Sequence, residues 1–211
     1  MIAPKINGNK LKAGNFSDIY YSEDYLLEDQ LIENELIIDA KIERPLFERC
    51  LFKKTSFEES DFSRIEMVDC IFEGCDFSNS QLEKGTIHRC QFINCKMLGT
   101  KLNESYMGNT LFSECKLDFS SFNDSNFATV HISNSSLKQV DIIETKLKQV
   151  KLENSDIDDI SFYDTKLKGI DLSSCTFDKI NLGEENLKGS KINGEQAIYF
   201  SKRFLGVKVI D

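Results

Sequence analysis

The residues of this 211-residue chain that could do chemistry are seven cysteines, two histidines and many serines and threonines. Cys70 and Cys75, and again Cys90 and Cys95, stand five apart, and closely spaced thiols are what a metal site or a disulfide needs. Cys50, Cys115 and Cys175 complete the set, and an odd count leaves one thiol without a partner. Neither His88 nor His131 is placed beside a cysteine or serine as a nucleophile's base must be, so both read as solvated surface residues. There is no glycine-rich phosphate loop. The expectation is a protein that is no enzyme and that needs neither metal nor cofactor.

The elements that carry these residues explain why. From Ile32 through Phe47, Phe52, Phe57 and Phe62 to Leu182, Leu187 and Ile192, every fifth residue is Phe, Leu, Ile or Met. Twelve of the sixteen phenylalanines stand in this register. A helix would repeat its apolar face at 3.6 residues and a strand at 2, so the period belongs to neither. Two places before each large residue stands a compact one, as in Cys50, Thr55, Ser60, Cys70, Cys75 and Ser80. All seven cysteines occupy that second position. Cysteine tolerates full burial as a small filler, so the thiols and most of the repeated hydroxyls are assigned to packing.

Units reading small, polar, Leu or Phe, polar, any resemble the pentapeptide-repeat family, over residues 30–194. The resemblance implies an all-β fold, a right-handed quadrilateral β-helix with four quintets per coil, so that residues twenty apart share a column. Cys50, Cys70 and Cys90 would then stack in one column and Cys75, Cys95 and Cys115 in the next. About eight coils at a strand spacing of ~4.8 Å give a body roughly 40 Å long. The only prolines, Pro4 and Pro45, precede Phe47, as a backbone paired above and below requires.

Three regions follow: an irregular amino-terminal cap over 1–31, the β-helix over 32–193, and a carboxyl-terminal helix and strand over 194–211. In the cap, Ile6, Leu11, Phe16, Tyr21, Leu26, Leu31 and Leu36 recur every five but one residue out of phase, with Asp24, Asp29 and Asn34 at small inward places. At the other end Asn193 and Gln196 form a capping box, and Gly206 stops a helix. Its apolar residues Ala197, Ile198, Phe200, Phe204 and Leu205 exceed what closing a solenoid needs, which points to a homodimer joined tail to tail, as in relatives of this family. Val207–Ile210 reads as a short strand.

The net charge is −9, yet residues 18–43 alone hold nine acids against one base. Over the rest, the columns segregate charge. Lys146, Lys148, Lys166, Lys168 and Lys188 form a basic stripe. Asp156, Asp158, Asp159 and Asp178 lie on one acidic face, and Asp124, Asp141, Glu144, Asp164 and Glu184 on the next. Leu51, Ile71, Ile93 and Leu111 read as one outward apolar column, a candidate partner surface. The longest apolar runs are three or four residues, too short to span a membrane, and Met1–Lys5 lacks the core of a secretion signal, so a cytoplasmic location is expected.

Members of the family that confer quinolone resistance bind type II topoisomerases in place of DNA. The resemblance therefore implies a DNA mimic whose acidic edge enters the basic groove of DNA gyrase or topoisomerase IV, with no direct contact to nucleic acid. The lysine stripe counts against a duplex mimic acidic on every side. The alternative is a rigid protein–protein scaffold that uses the apolar column or the acidic cap.

Overall fold

A residue that must face inward at every fifth place needs a chain that turns a corner at every fifth place. The computed structural model, which describes residues 1–210, solves this with flat coils of four quintets stacked in parallel. The register is twenty residues throughout: Leu51 pairs with Ile71, Ile71 with Gln91, and Gln91 with Leu111. About eight coils make a four-sided parallel β-solenoid. The first face is built from Leu26–Glu28, Leu46–Glu48, Glu66–Val68 and Thr86–His88, the second from Gln30–Glu33, Leu51–Lys53, Ile71–Glu73 and Gln91–Ile93. The longer strands Tyr106–Ser113 and Asn126–Ser133 run round the corner between them, and Lys146–Lys148 and Lys151–Glu153 complete the two faces. The third and fourth faces are held by single bridges, such as Ser56 to Asp76 to Lys96 and Asp61 to Gln81 to Lys101.

Each corner is a left-handed residue. From Asp24 to Gly169, every residue whose number ends in 4 or 9 has a positive φ, from 48° at Lys54 to 85° at Gly169. Most are Asn, Asp, Glu, Gln, Lys or Arg, which project outward from the bend. Phe119, at φ 64°, and Thr129, at φ 69°, are the costly exceptions, because a bulky or β-branched side chain crowds its own backbone there.

The core is a stack of rings. Phe52, Phe72, Phe92 and Phe112 lie parallel with centroids 4.9, 4.8 and 4.9 Å apart, the spacing of the coils themselves. The compact inward residues do more than fill space. Cys50 Sγ, Ser80 Oγ and Thr165 Oγ1 each donate to a carbonyl twenty-three residues back, on Leu27, Phe57 and Ile142. Where the position holds a small donor, that donor ties one coil to the coil before it, while Val130, Val140, Val150, Ile160, Ile170 and Ile180 fill it with apolar bulk alone. Where Ile65 replaces one, Gly85 follows in the same column, and a Cβ there would lie 2.9 Å from the Leu82 carbonyl and 3.1 Å from Ile65.

The amino terminus corrects the sequence reading. Leu27 and Ile32 are fully buried in the main register, so the coils begin before residue 32. Asp24, Asp29 and Asn34 are left-handed corners rather than inward residues. The out-of-phase series is no second register: Phe16 is buried, whereas Tyr21 and Leu36 are 89% and 80% exposed. Phe16 and Ile19 close the end of the core, with Phe16 packed on Phe47, Phe57 and Phe62. Ahead of them the chain runs back along the outside as an arm, over the corner between the first two faces. Lys5 N donates to Asp69 Oδ1 at 2.9 Å and Ile2 N to Asn109 Oδ1 at 2.8 Å. Three extended residues span about 10 Å, the height of two coils, so the arm climbs the corner column in step with it.

At the other end the helices α1 (Glu184–Leu187) and α2 (Gly194–Leu205) follow the coils. Asn193 Oδ1 accepts from Gln196 N at 2.9 Å, and the buried Gln196 amide donates to the Leu172 and Cys175 carbonyls, both at 2.9 Å. One side chain thus starts the helix and satisfies the last coil. Gly206, at φ 64°, ends α2. Residues 207–210 form no strand.

Candidate interaction surface

The cysteines are structural. All seven are free and buried; Cys50, Cys70 and Cys90 stand one above another, as do Cys75, Cys95 and Cys115, and Cys175 follows Ser155 in its column. The neighbouring Cys70 thiol and burial hold Cys50 well above the ordinary thiol range, and burial does the same to Cys70. Cys50 and Cys70, held neutral in this way, are neither nucleophiles nor metal ligands. Among the described residues no group of three or more His, Cys, Asp or Glu could hold a metal ion. The histidines are less solvated than expected: both are half-buried, His131 Nε2 lies 2.8 Å from Glu153 Oε2, and burial lowers the His88 pKa.

The structure divides the acids. On the third face and at its far corner they are engaged: Asp156 pairs with Lys138 at 2.9 Å and Asp159 with Lys179 at 2.8 Å. Asp158 Oδ1 accepts the backbone N–H groups of Asp178 and Lys179, both at 2.9 Å, and these bonds hold its carboxyl below the usual range. Asp178 is exposed beside it. Asp141 stands at the opposite side of the fourth face, in the column of Ser121 and Ser161.

What remains is one corner, between the fourth and first faces. Asp124, Glu144 and Asp164 stack there one per coil, Glu104 extends the column by one, and Glu184, the first residue of α1, follows at the next twenty-residue step. All five are exposed. Glu104 pairs with Lys84 at 3.6 Å, while among the described residues none of the other four lies in an ion pair. The sequence reading missed Glu104, although the twenty-residue step contains it. Next to this ridge, on the first face, Lys146 and Lys166 form one column and Lys148, Lys168 and Lys188 another, all exposed. Of these only Lys188 has an ion-pair partner among the described residues, Glu185 at 2.8 Å.

The apolar column is a correction. Leu51, Ile71 and Leu111 share a column, but Ile93 pairs with Glu73 and so stands two residues along, on the same outer face. All four are half-buried rather than exposed, and they flank the corner taken by the chain's own arm. In α2 the five apolar residues part company. Phe200 is buried and packs on Phe177 at 5.9 Å, Phe204 stacks on Phe200 at 5.7 Å, and Ala197 is half-buried. Only Ile198 and Leu205, 43% and 69% exposed, face outward. No described helix is long and apolar enough to cross a membrane.

Comparison with known proteins agrees with this geometry. A model of the pentapeptide repeat region matches residues 85–162, and one of pentapeptide repeats in eight copies matches residues 46–83 and 60–99; together they span more than half the chain. A trypsin-treated form of QnrB1, a plasmid-mediated fluoroquinolone resistance protein, superposes at a TM-score of 0.50 and 18% identity, over 88% of this chain and 99% of that one. HetL, a pentapeptide repeat protein involved in heterocyst differentiation regulation in the cyanobacterium Nostoc, has 15% identity over 80% of this chain and 87% of its own, with a TM-score of 0.38. A pentapeptide repeat protein of the Arabidopsis thaliana thylakoid lumen has 9% identity over 71% and 73%, with a TM-score of 0.29. Comparison with curated proteins gives no match. Likeness at these identities speaks to fold alone. The five-residue period, the twenty-residue coil and both family models agree, and the chain belongs to the pentapeptide-repeat family.

Proposed function

We propose that the protein is a non-enzymatic rod that binds a partner protein through the Glu104–Glu184 ridge, and that the partner presents a basic groove of the kind that holds DNA in a type II topoisomerase. One observation carries the reading: a row of exposed carboxylates, one per coil from Glu104 to Asp164 and continued by Glu184 at the head of α1, whose last four members have no ion-pair partner among the described residues. The row repeats every ~4.8 Å, against one phosphate per 3.4 Å of axis in each strand of a duplex, so the linear charge density is of the same order. The neighbouring lysines restrict the mimicry to one edge, which suits one wall of a groove rather than encirclement. Such a partner places the protein in the cytoplasm.

The test is a supercoiling titration with DNA gyrase, with and without a fluoroquinolone. Wild-type protein is expected to inhibit the enzyme or to relieve the drug. Replacing Asp124 and Asp164 by Asn and Glu104, Glu144 and Glu184 by Gln should weaken either effect about tenfold or more. No effect of the wild type on gyrase or topoisomerase IV at tens of micromolar would sink the topoisomerase reading. The scaffold reading through Leu51, Ile71, Ile93 and Leu111 is less favoured, because the arm already lies beside those residues.

A further inference from the structure

The solenoid handles charge in two ways. In the amino-terminal half, charges are mostly neutralised by neighbours within the molecule: Asp29 pairs with Arg49 at 2.8 Å, Asp69 with Arg89 at 2.6 Å, Lys53 lies between Glu33 and Glu73 at 4.0 and 3.8 Å, and Arg44 and Arg64, alike in sign along one corner, pair with Glu66 and Glu43 at 3.2 and 3.0 Å. Asp76 and Lys96 do the same at 3.2 Å. Toward the carboxyl end, the corner and the first face do the reverse. Asp124, Glu144, Asp164 and Glu184 repeat one sign, as do Lys146 with Lys166 and Lys148 with Lys168 and Lys188. Like charges on directly opposed rungs destabilise a sheet. Like charges also meet at Glu28–Glu48 and Lys96–Lys116, but toward the carboxyl end two like-charged stripes of opposite sign run side by side along the same coils.

We propose that this two-stripe surface is an interface with a second copy of the chain, in which the carboxylate ridge of each copy lies on the lysine columns of the other. The surface is complementary to itself in one arrangement only. A two-fold axis parallel to the rods and running between the stripes sets each acid against the partner's lysines at the same coil height, Glu144 beside the partner's Lys146. Two rods laid antiparallel, face to face, set acid on acid and lysine on lysine. The dimer is therefore parallel and side by side, with both amino-terminal ends together. It differs from a tail-to-tail dimer through Ile198 and Leu205. The inference rests on the ridge geometry and not on the topoisomerase reading, although a ridge engaged in the dimer would be unavailable to any other partner.

The test is light scattering across protein concentration at low and high salt. A dimer at about 50 mM salt that weakens tenfold or more by about 500 mM is expected, because exposed ion pairs are screened. Lys146→Glu with Lys166→Glu should give a monomer, and so should Glu144→Lys with Asp164→Lys. Mixing the two variants, or combining all four changes in one chain, should restore the dimer. These positions are exposed, so loss of fold is not expected, and circular dichroism checks it. A fluorophore pair on Asn9→Cys should transfer energy efficiently in the parallel dimer and poorly in a tail-to-tail one. A monomer at low salt overturns the proposal. So does a dimer that survives high salt and is lost on Ile198→Asp with Leu205→Asp, or charge-reversed variants that fail to pair when mixed.

Discussion

Asp69 shows how one side chain can serve two levels of structure. Its carboxylate receives the Arg89 guanidinium at 2.6 and 2.7 Å and the Lys5 backbone N–H at 2.9 Å, with 5% of the residue exposed. Burial alone would raise its pKa, but Arg89 and the Lys5 N–H outweigh burial and hold it below the ordinary value. A carboxyl depressed in the folded state contributes stability that is present above its unfolded pKa of about 3.9 and is lost as the pH falls through the folded value. Asp69→Asn should therefore cost on the order of 1–2 kcal/mol at pH 7 and remove part of the acid sensitivity. Denaturant titrations of both proteins between neutral pH and about pH 2 check it; parallel pH profiles would refute the assignment. In the core, Phe92→Ala empties a place between two stacked rings and should cost about 3–5 kcal/mol, read from the midpoint of chemical denaturation.

At the scale of elements, what was legible in the sequence depended on whether position alone decided the outcome. The inward register from Ile32 to Ile192 was plain, because every coil repeats the same steric demand. Asn193 and Gln196 announced α2, because a capping box is a local hydrogen-bond exchange. The donor role of Ser80 or Thr165 was hidden, since its acceptor belongs to another coil, and the small size of those residues masked it. The arm was hidden for the same reason: nothing in Met1–Lys5 names Asp69 or Asn109. Ile93 was placed in the wrong column because an outer face carries two columns per quintet and hydropathy does not separate them. The ridge was partly legible, though only geometry showed which acids already had partners. Gln196→Ala should leave the Cys175 carbonyl without a donor and the Leu172 carbonyl with only the Cys175 N–H, costing about 1–3 kcal/mol. Fraying should then show first as faster hydrogen exchange in the last coil.

For the whole molecule, the rod has two ends closed by different means and four sides with different tasks. Phe16 and Ile19 seal one end, Phe200 and Gln196 the other, and both closures keep strand edges from pairing with other chains. Most amino-terminal charges are neutralised within the molecule, whereas Asp124, Glu144, Asp164 and Glu184 have no ion-pair partner among the described residues, so the sites of contact are expected toward the carboxyl end. The arm has a consequence for how the molecule comes apart. In a stack where each coil touches only its neighbours, unfolding can begin at an end and proceed one layer at a time, like a one-dimensional Ising chain. An arm tied to Asp69 and to Asn109 two coils away adds a coupling beyond nearest neighbours. It makes the layers between them melt as a unit. Removing residues 1–6 should therefore broaden the denaturation transition and lower its slope, beyond the loss in stability that one exposed and one part-buried hydrogen bond would predict.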